Sequence, residues 1–127
     1  MADQRRKTGV TGERLARRHL ERAGYEILDQ NFRTRHGELD LVAADDRGIV
    51  FCEVKTRVSG SGGPPSPFDS IGAGKRRRLR RMATEWLSHS DRARWPRGAG
   101  ELRFDAIGIR LGPTGEVLEL EHLENAF

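Results

Sequence analysis

The chain lacks several features that would place it in familiar classes. It has one cysteine, Cys52, so no internal disulfide can form and a reducing cytoplasm is the expected setting. No apolar run approaches the length of a membrane span. The opening MADQRRKTGVTGERLARRHL has no apolar core of the secretory kind, so no membrane partner is expected. With two Trp, one Tyr and five Phe, there are few platforms for base stacking, which disfavours single-strand readers such as the RRM. One cysteine and four scattered histidines (His19, His36, His89 and His122) give neither metal spacing nor a nucleophile–base pair, and each histidine reads as structural or solvated. Gly74-Lys75 resembles the end of a P-loop, but Asp69 stands where that motif needs its first glycine and Arg76 where it needs Ser or Thr.

Charge, by contrast, is abundant and unevenly placed. Residues 1–100 carry 21 Lys+Arg against 13 Asp+Glu, whereas residues 101–127 carry 2 against 6. A basic body with an acidic tail points to a polyanionic partner, nucleic acid before membrane, because no strongly apolar amphipathic face accompanies the charge. At 127 residues the chain reads as a single domain, 1–127, long enough to bury one core.

Hydrophobic spacing predicts the elements. Thr8 or Thr11 caps a helix running to about Ala23, with Leu15, Ala16, Leu20 and Ala23 on one face, and Gly24 stops it. Strands follow over Tyr25–Arg33, Glu38–Ala44 and Ile49–Arg57. SGSGGPPSP, Ser59–Pro67, is too rich in Gly and Pro to be anything but a loop. A second helix spans about Gly74–Ser88, with Leu79, Met82, Ala83, Trp86 and Leu87 facing inward. A loop through Trp95–Gly98 leads to strands at Leu102–Leu111 and Val117–Leu123. The order α-β-β-β-α-β-β predicts an α/β fold, a mixed central sheet flanked by helices.

The hairpin Gly37–Arg57 holds the chemistry. If Ala44 pairs with Ile49 across an Asp45–Gly48 turn, Asp40 falls opposite Glu53 and Glu38 opposite Lys55. Alternation then puts all four side chains on one face. Facing carboxylates about 5 Å apart at Cβ repel unless one takes a proton, Lys55 compensates, or a cation sits between them. Oxygen ligands without Cys or His favour Mg²⁺ or Mn²⁺ over Zn²⁺. Lys55 is placed to hold a phosphate oxygen or to help a water lose its proton, and such a set suits hydrolysis of a phosphodiester. The alternative is a solvated polar face laced with cross-strand ion pairs. Against it, Val42, Ile49 and Phe51 interrupt that face, which reads better as the floor of a cleft.

Two further features lie outside the hairpin. Glu13 shares the face of Ala16 and Leu20 and so points toward the sheet, as a helix-start acid or as a third acid near the metal. Lys75-Arg76-Arg77-Arg78-Leu79-Arg80-Arg81 puts six basic residues at the start of the second helix, where they oppose its dipole. That placement favours phosphate contacts over stability, and Arg5, Arg6, Lys7, Arg33, Arg35 and Arg57 extend the same surface. Trp86 reads as core, while Trp95 fits a core or a loop role.

Together, GE-x-x-A at Gly12–Ala16, Gly24-Tyr25, Asn31-Phe32-Arg33, GELDLVA, VFCEVKTR, Lys75 after the glycine-rich loop and the final Asn125-Ala126-Phe127 make the chain resemble the YraN family of small bacterial proteins along its whole length. That family is similar to the PD-(D/E)XK nucleases and to archaeal Holliday-junction resolvases. The resemblance implies a restriction-endonuclease-like, three-layer fold and a metal-dependent endonuclease. By position it makes Asp40 and Glu53 the metal-binding acids, with the Val54 carbonyl beside them, Lys55 the motif lysine and Glu13 the helix acid, with Glu38 a further candidate. The expected partner is duplex or branched DNA. Symmetric cutting of two strands implies a homodimer, although no apolar dimer stripe stands out. Two other readings stand beside this one: a nucleic-acid-binding module with the same fold and no turnover in isolation, and an interaction protein docking through Glu116, Glu119, Glu121 and Glu124.

Overall fold

Seven elements follow one another in the predicted order: α1 (Ala2–Arg22), β1 (Glu26–Thr34), β2 (Gly37–Ala44), β3 (Gly48–Val58), α2 (Ala73–His89), β4 (Glu101–Leu111) and β5 (Val117–Leu123). The computed structural model describes residues 2–60, 72–89 and 100–127, and the side chains of all of these except 2–6 and 73. Most of the Ser59–Pro67 loop, the Trp95–Gly98 loop and Trp95 itself lie outside the described residues.

The five strands form one mixed sheet in the order β1-β2-β3-β4-β5. Every neighbouring pair is antiparallel except β3 and β4, because α2 carries the chain from one to the other and brings it back in the same direction. Two apolar clusters cover the two faces. Ala16 and Leu20 of α1 pack with Leu41, Ala43, Val50, Cys52, Ile107 and Ile109. Leu79, Met82, Ala83 and Trp86 of α2 pack with Val42, Ala44, Ile49 and Phe51. The arrangement is an α/β fold of three layers, helix, sheet and helix. The predicted inner face of α2 is the observed one: Trp86 is 4% exposed, stands edge-on to Phe51, and donates its indole N–H to Asp29 at 2.9 Å.

The helix boundaries were half legible. α1 begins upstream of the expected start, so Thr8 and Thr11 lie inside it. Threonine costs a helix only a few tenths of a kcal/mol, and a residue able to cap need not do so. The end is as expected. Gly24 has φ +96°, its N–H reaches the Glu21 carbonyl at 3.1 Å, and the Tyr25 N–H reaches Leu20 at 3.0 Å. That pair of bonds closes the helix with a left-handed residue that only glycine adopts freely. Ala23 falls beyond the last helical residue and is exposed, so it leaves the apolar face on which spacing had put it.

β4 and β5 are tied by a buried polar network that the sequence pattern did not reveal. Asp105, 0% exposed, accepts from Arg103 Nε at 2.9 Å, from the Asn125 N–H at 3.1 Å and from His122 Nε2 at 2.7 Å. His122 Nδ1 meets His19 Nε2 of α1 at 3.0 Å, and Arg103 donates to the Tyr25 hydroxyl. Two of the four histidines are thus structural, as expected, and link α1 to the far strand. β5 is an edge strand that leaves Val117, Leu118 and Leu123 exposed, an apolar presence between its glutamates that periodicity had not singled out.

Candidate active site

The β2–β3 hairpin forms in the predicted register: Ala44 pairs with Ile49, Ala43 with Val50, Val42 with Phe51 and Leu41 with Cys52. The turn is set by Asp45, whose Oδ1 accepts the N–H groups of Arg47 (3.0 Å) and Gly48 (3.3 Å), an arrangement aspartate favours. The ladder then stops one pair short of Asp40 and Glu53. From there β2 continues beside β1, with Glu38 paired to Arg33, and β3 continues beside β4, with Lys55 paired to Gly108. Asp40 lies where the strands part, and its Oδ2 accepts the Val54 N–H at 2.8 Å. A carboxylate thus takes a backbone donor that the ladder leaves open.

The fork corrects two expectations. Asp40 and Glu53 are not a ladder pair, and Glu38 does not face Lys55; its carboxylate meets Arg33 Nε at 3.3 Å, because β2 has left β3 by that point. Glu38 instead joins Glu13 and Asp40, and one carboxylate oxygen from each lies within 4.8 Å of the other two. Glu13 arrives from α1 as its spacing predicted, and the residue before it explains the approach. A methyl built on Gly12 would overlap Thr56 Oγ1 and lie 2.8 Å from Thr56 Cβ. Only glycine lets the helix sit this close to β3.

Glu53, 8% exposed, stands outside that trio and is held by two lysines. Lys75 Nζ is 2.7 Å from its Oε1 and Lys55 Nζ 3.7 Å. The sequence had grouped Lys75 with the arginine run; the structure turns it toward the acids. Asn31 was not singled out as a site residue. With its amide nitrogen toward the carboxylates, it donates to Glu13 at 3.1 Å and to Glu38 at 2.7 Å. Its φ of +55° is a left-handed conformation that asparagine tolerates better than most residues. An asparagine inside a strand, where that residue is depleted, was the available signal.

Crowding of like charges shows in the protonation equilibria. Burial raises the Asp40 carboxyl most, Glu53 adds to it, the Val54 N–H opposes, and Glu13 and Glu38 push further, to a pKa of about 8. Burial also raises Glu13, against the Asn31 hydrogen bond and with help from Glu38 and Glu53. The two lysines are driven apart. Burial and then Lys75 lower Lys55, whereas Lys75 overcomes its burial through Glu53 and lies above its ordinary value. A cluster that must take up a proton to sit together is electrostatically short of a cation.

Its donors are all oxygens, its acids converge to within 4.8 Å, and neither Cys nor His is among them. That set fits a hard divalent ion such as Mg²⁺.

Around this centre, Arg76, Arg77, Arg78, Arg80 and Arg81 are all exposed on α2. The Arg80 guanidinium lies over the Phe104 ring, 5.6 Å from its centroid. Arg33 is 87% exposed at its side chain, Lys7 and Arg35 are exposed, and Arg57 is half-buried on β3 in register with Arg110. The side chains of Arg5 and Arg6 lie outside the described residues.

Fold and site together define an α/β protein whose mixed sheet forks around a carboxylate–lysine cluster. The chain belongs to the Uncharacterised protein family UPF0102, whose model matches residues 12–109, the region that carries every acid and lysine of the cluster. It is 44% identical over 119 residues to a UPF0102 protein of Rhodococcus opacus, covering 94% of each chain. It is 41% identical over 127 residues to one of Geobacter metallireducens, covering 100% of this chain and 97% of that one. A Mycobacterium avium relative is 44% identical over 119 residues, covering 91% and 86%.

Proposed function

We propose that this protein binds nucleic acid, duplex or branched DNA in the cytoplasm, and hydrolyses its phosphodiester bonds with Mg²⁺ or Mn²⁺. One observation supports the reading above the others: the fork gathers Glu13, Glu38 and Asp40 to within 4.8 Å and sets Glu53, Lys55 and Lys75 beside them. Asp40 with Glu13 and Glu38 would hold the ion, and Glu53 and the Val54 carbonyl complete the set that the nuclease resemblance implies. A bound divalent ion supplies Lewis-acid stabilisation of charge developing on phosphate oxygens. The chain's own groups do the rest. Lys55, a hydrogen-bond donor as an ammonium, positions the attacking water or stabilises the charge that develops. Lys75 stays charged and stabilises the phosphoryl oxygens. Asn31 fixes Glu13 and Glu38 so that their oxygens keep their separation.

The Lys75–Glu53 contact at 2.7 Å favours a second reading. There the lysines neutralise the acids and the protein is a binding module that does not turn over alone. Calorimetric titration of Mn²⁺ into wild-type protein and Asp40→Asn separates the two. Saturable binding lost in the variant is the expected result; no binding to either favours the module.

A further inference from the structure

Beside the acidic fork, α2 and the β1–β2 turn enclose an open depression of about 210 Å³, lined by His36, Gly74, Arg77, Arg78 and Arg81. Three arginines and a histidine thus border one open space with room for several waters. The other two arginines of the run, Arg76 and Arg80, are not part of the lining, so the helix sorts its basic residues by face. The first helical bond runs from the Arg76 N–H to the Gly72 carbonyl at 3.2 Å. Amide donors of the first turn therefore have no intrahelical acceptor, and no acid occupies that turn to complement the dipole. A methyl built on Gly74 meets nothing within 4 Å, so the backbone there is open to close approach. On the turn side, Arg35 Nε donates to His36 Nε2 at 3.4 Å, which leaves Nδ1–H as the imidazole's donor. The residues that line the depression include three arginines and no acid.

We infer that this depression seats one phosphodiester of a nucleic-acid backbone, adjacent to the phosphate offered to the acidic fork. Adjacency follows from the helix itself: Gly74, Arg77 and Arg78 line the depression, while Lys75 between them reaches Glu53. One helical turn serves both places. The inference rests on the nucleic-acid reading above and makes a narrower claim, that three arginines act on a single phosphate.

The test is equilibrium binding of a labelled DNA duplex in EDTA, where cleavage plays no part, over a range of NaCl concentrations. Arg77→Gln and the double variant Arg77→Gln/Arg81→Gln are compared with wild type and with Arg18→Gln, an exposed position on α1. One seated phosphate predicts that the slope of log K against log salt flattens by no more than about 0.9 in the double variant, and by less in the single variant, where two arginines still hold the phosphate. The Arg18 variant keeps the wild-type slope. In a second arm, inorganic phosphate should shift the Gly74 amide resonance of the wild type weakly, should not shift it in the double variant, and should compete with the duplex. A slope that falls by about 1.8 in the double variant, or does not change, overturns this inference alone. Saturation by inorganic phosphate without loss of DNA binding makes the free anion the occupant and overturns it as well. Failure of wild type to bind DNA at any salt overturns the functional reading with it.

Discussion

At the scale of single residues, the cluster is held together against its own electrostatics. Asp40 keeps a pKa of about 8, so the metal-free protein is destabilised by ordering these acids together. Asp40→Asn retains an oxygen for the Val54 N–H and removes the charge. It should raise the metal-free unfolding midpoint by roughly 3–6 °C, the shift expected for about 1 kcal/mol in a domain of this size, as read by scanning calorimetry in EDTA. An unchanged or lower midpoint would show that the acids do not repel as described. Gly12 makes the opposite kind of prediction. Gly12→Ala forces its methyl onto Thr56 and should cost about 1–3 kcal/mol by overpacking, part of it recovered in the Thr56→Ala background by denaturant titration. Most of these residues were legible in the sequence. Asp40, Glu53 and Lys55 stood out as charges within an apolar hairpin, although the strict alternation that put them on one face breaks at the fork, where Leu39 packs with the α2-side cluster and Leu41 with the α1-side one; Glu13 followed from its helical spacing. Asn31 and the turning of Lys75 toward Glu53 were not, because both depend on how the fork and α2 meet in space, which no local period encodes.

At the scale of elements, strand register was the most legible feature and strand divergence the least. A four-residue turn and an apolar alternation fix Ala44 opposite Ile49, and extending the ladder assigned Asp40 and Glu53 to it. Nothing in the period says where a ladder ends, so Glu38 was placed with Lys55 when the structure gives it to Arg33 and Glu13. Equally invisible was the link from α1 to β5 through His19, His122 and Asp105, whose members lie on three separate elements. That link should make the fold acid-sensitive. Burial works to raise the Asp105 carboxyl, but His122, Arg103 and the Asn125 N–H hold it below its usual 3.8, so its contribution is present above that pH and is lost as pH falls through the folded-state value. Burial and then His122 lower His19 from 6.5, so the unfolded chain takes up that proton first and stability declines as pH falls below about 6.5. In the Asp40→Asn/Glu13→Gln background, which removes the two raised carboxyls that otherwise add stability as they take up protons on acidification, denaturant midpoints measured from pH 7.5 to 3 should therefore fall in two steps. Asp105→Ala, which leaves Arg103 buried without its carboxylate, should cost about 3–5 kcal/mol and abolish the lower step. A single step unaffected by the substitution would contradict the network's role.

At the scale of the whole molecule, charge is divided in a way that matches a polyanion brought to one place. The exposed arginines of α2 lie next to the acidic fork through Lys75, while the glutamates of β5 sit on the opposite edge of the sheet from β1. There Glu119 is held by Arg110 at 3.1 Å. The overall architecture was readable from the order of elements, because a hairpin followed by a helical crossover leaves few sheet topologies to choose from. No helix among the described residues is long and apolar enough to cross a membrane. The most direct test of the account is cleavage by wild-type protein and Asp40→Asn of labelled single-stranded, duplex, flap and four-way-junction DNA, each in Mg²⁺, Mn²⁺ and EDTA. The account predicts metal-dependent cutting of duplex or branched DNA by the wild type, no cutting in EDTA, and a loss of at least a hundredfold in the variant, the order expected for removing a principal electrostatic contribution. Cutting that survives in Asp40→Asn, or the absence of cutting on every substrate with both metals, would contradict it.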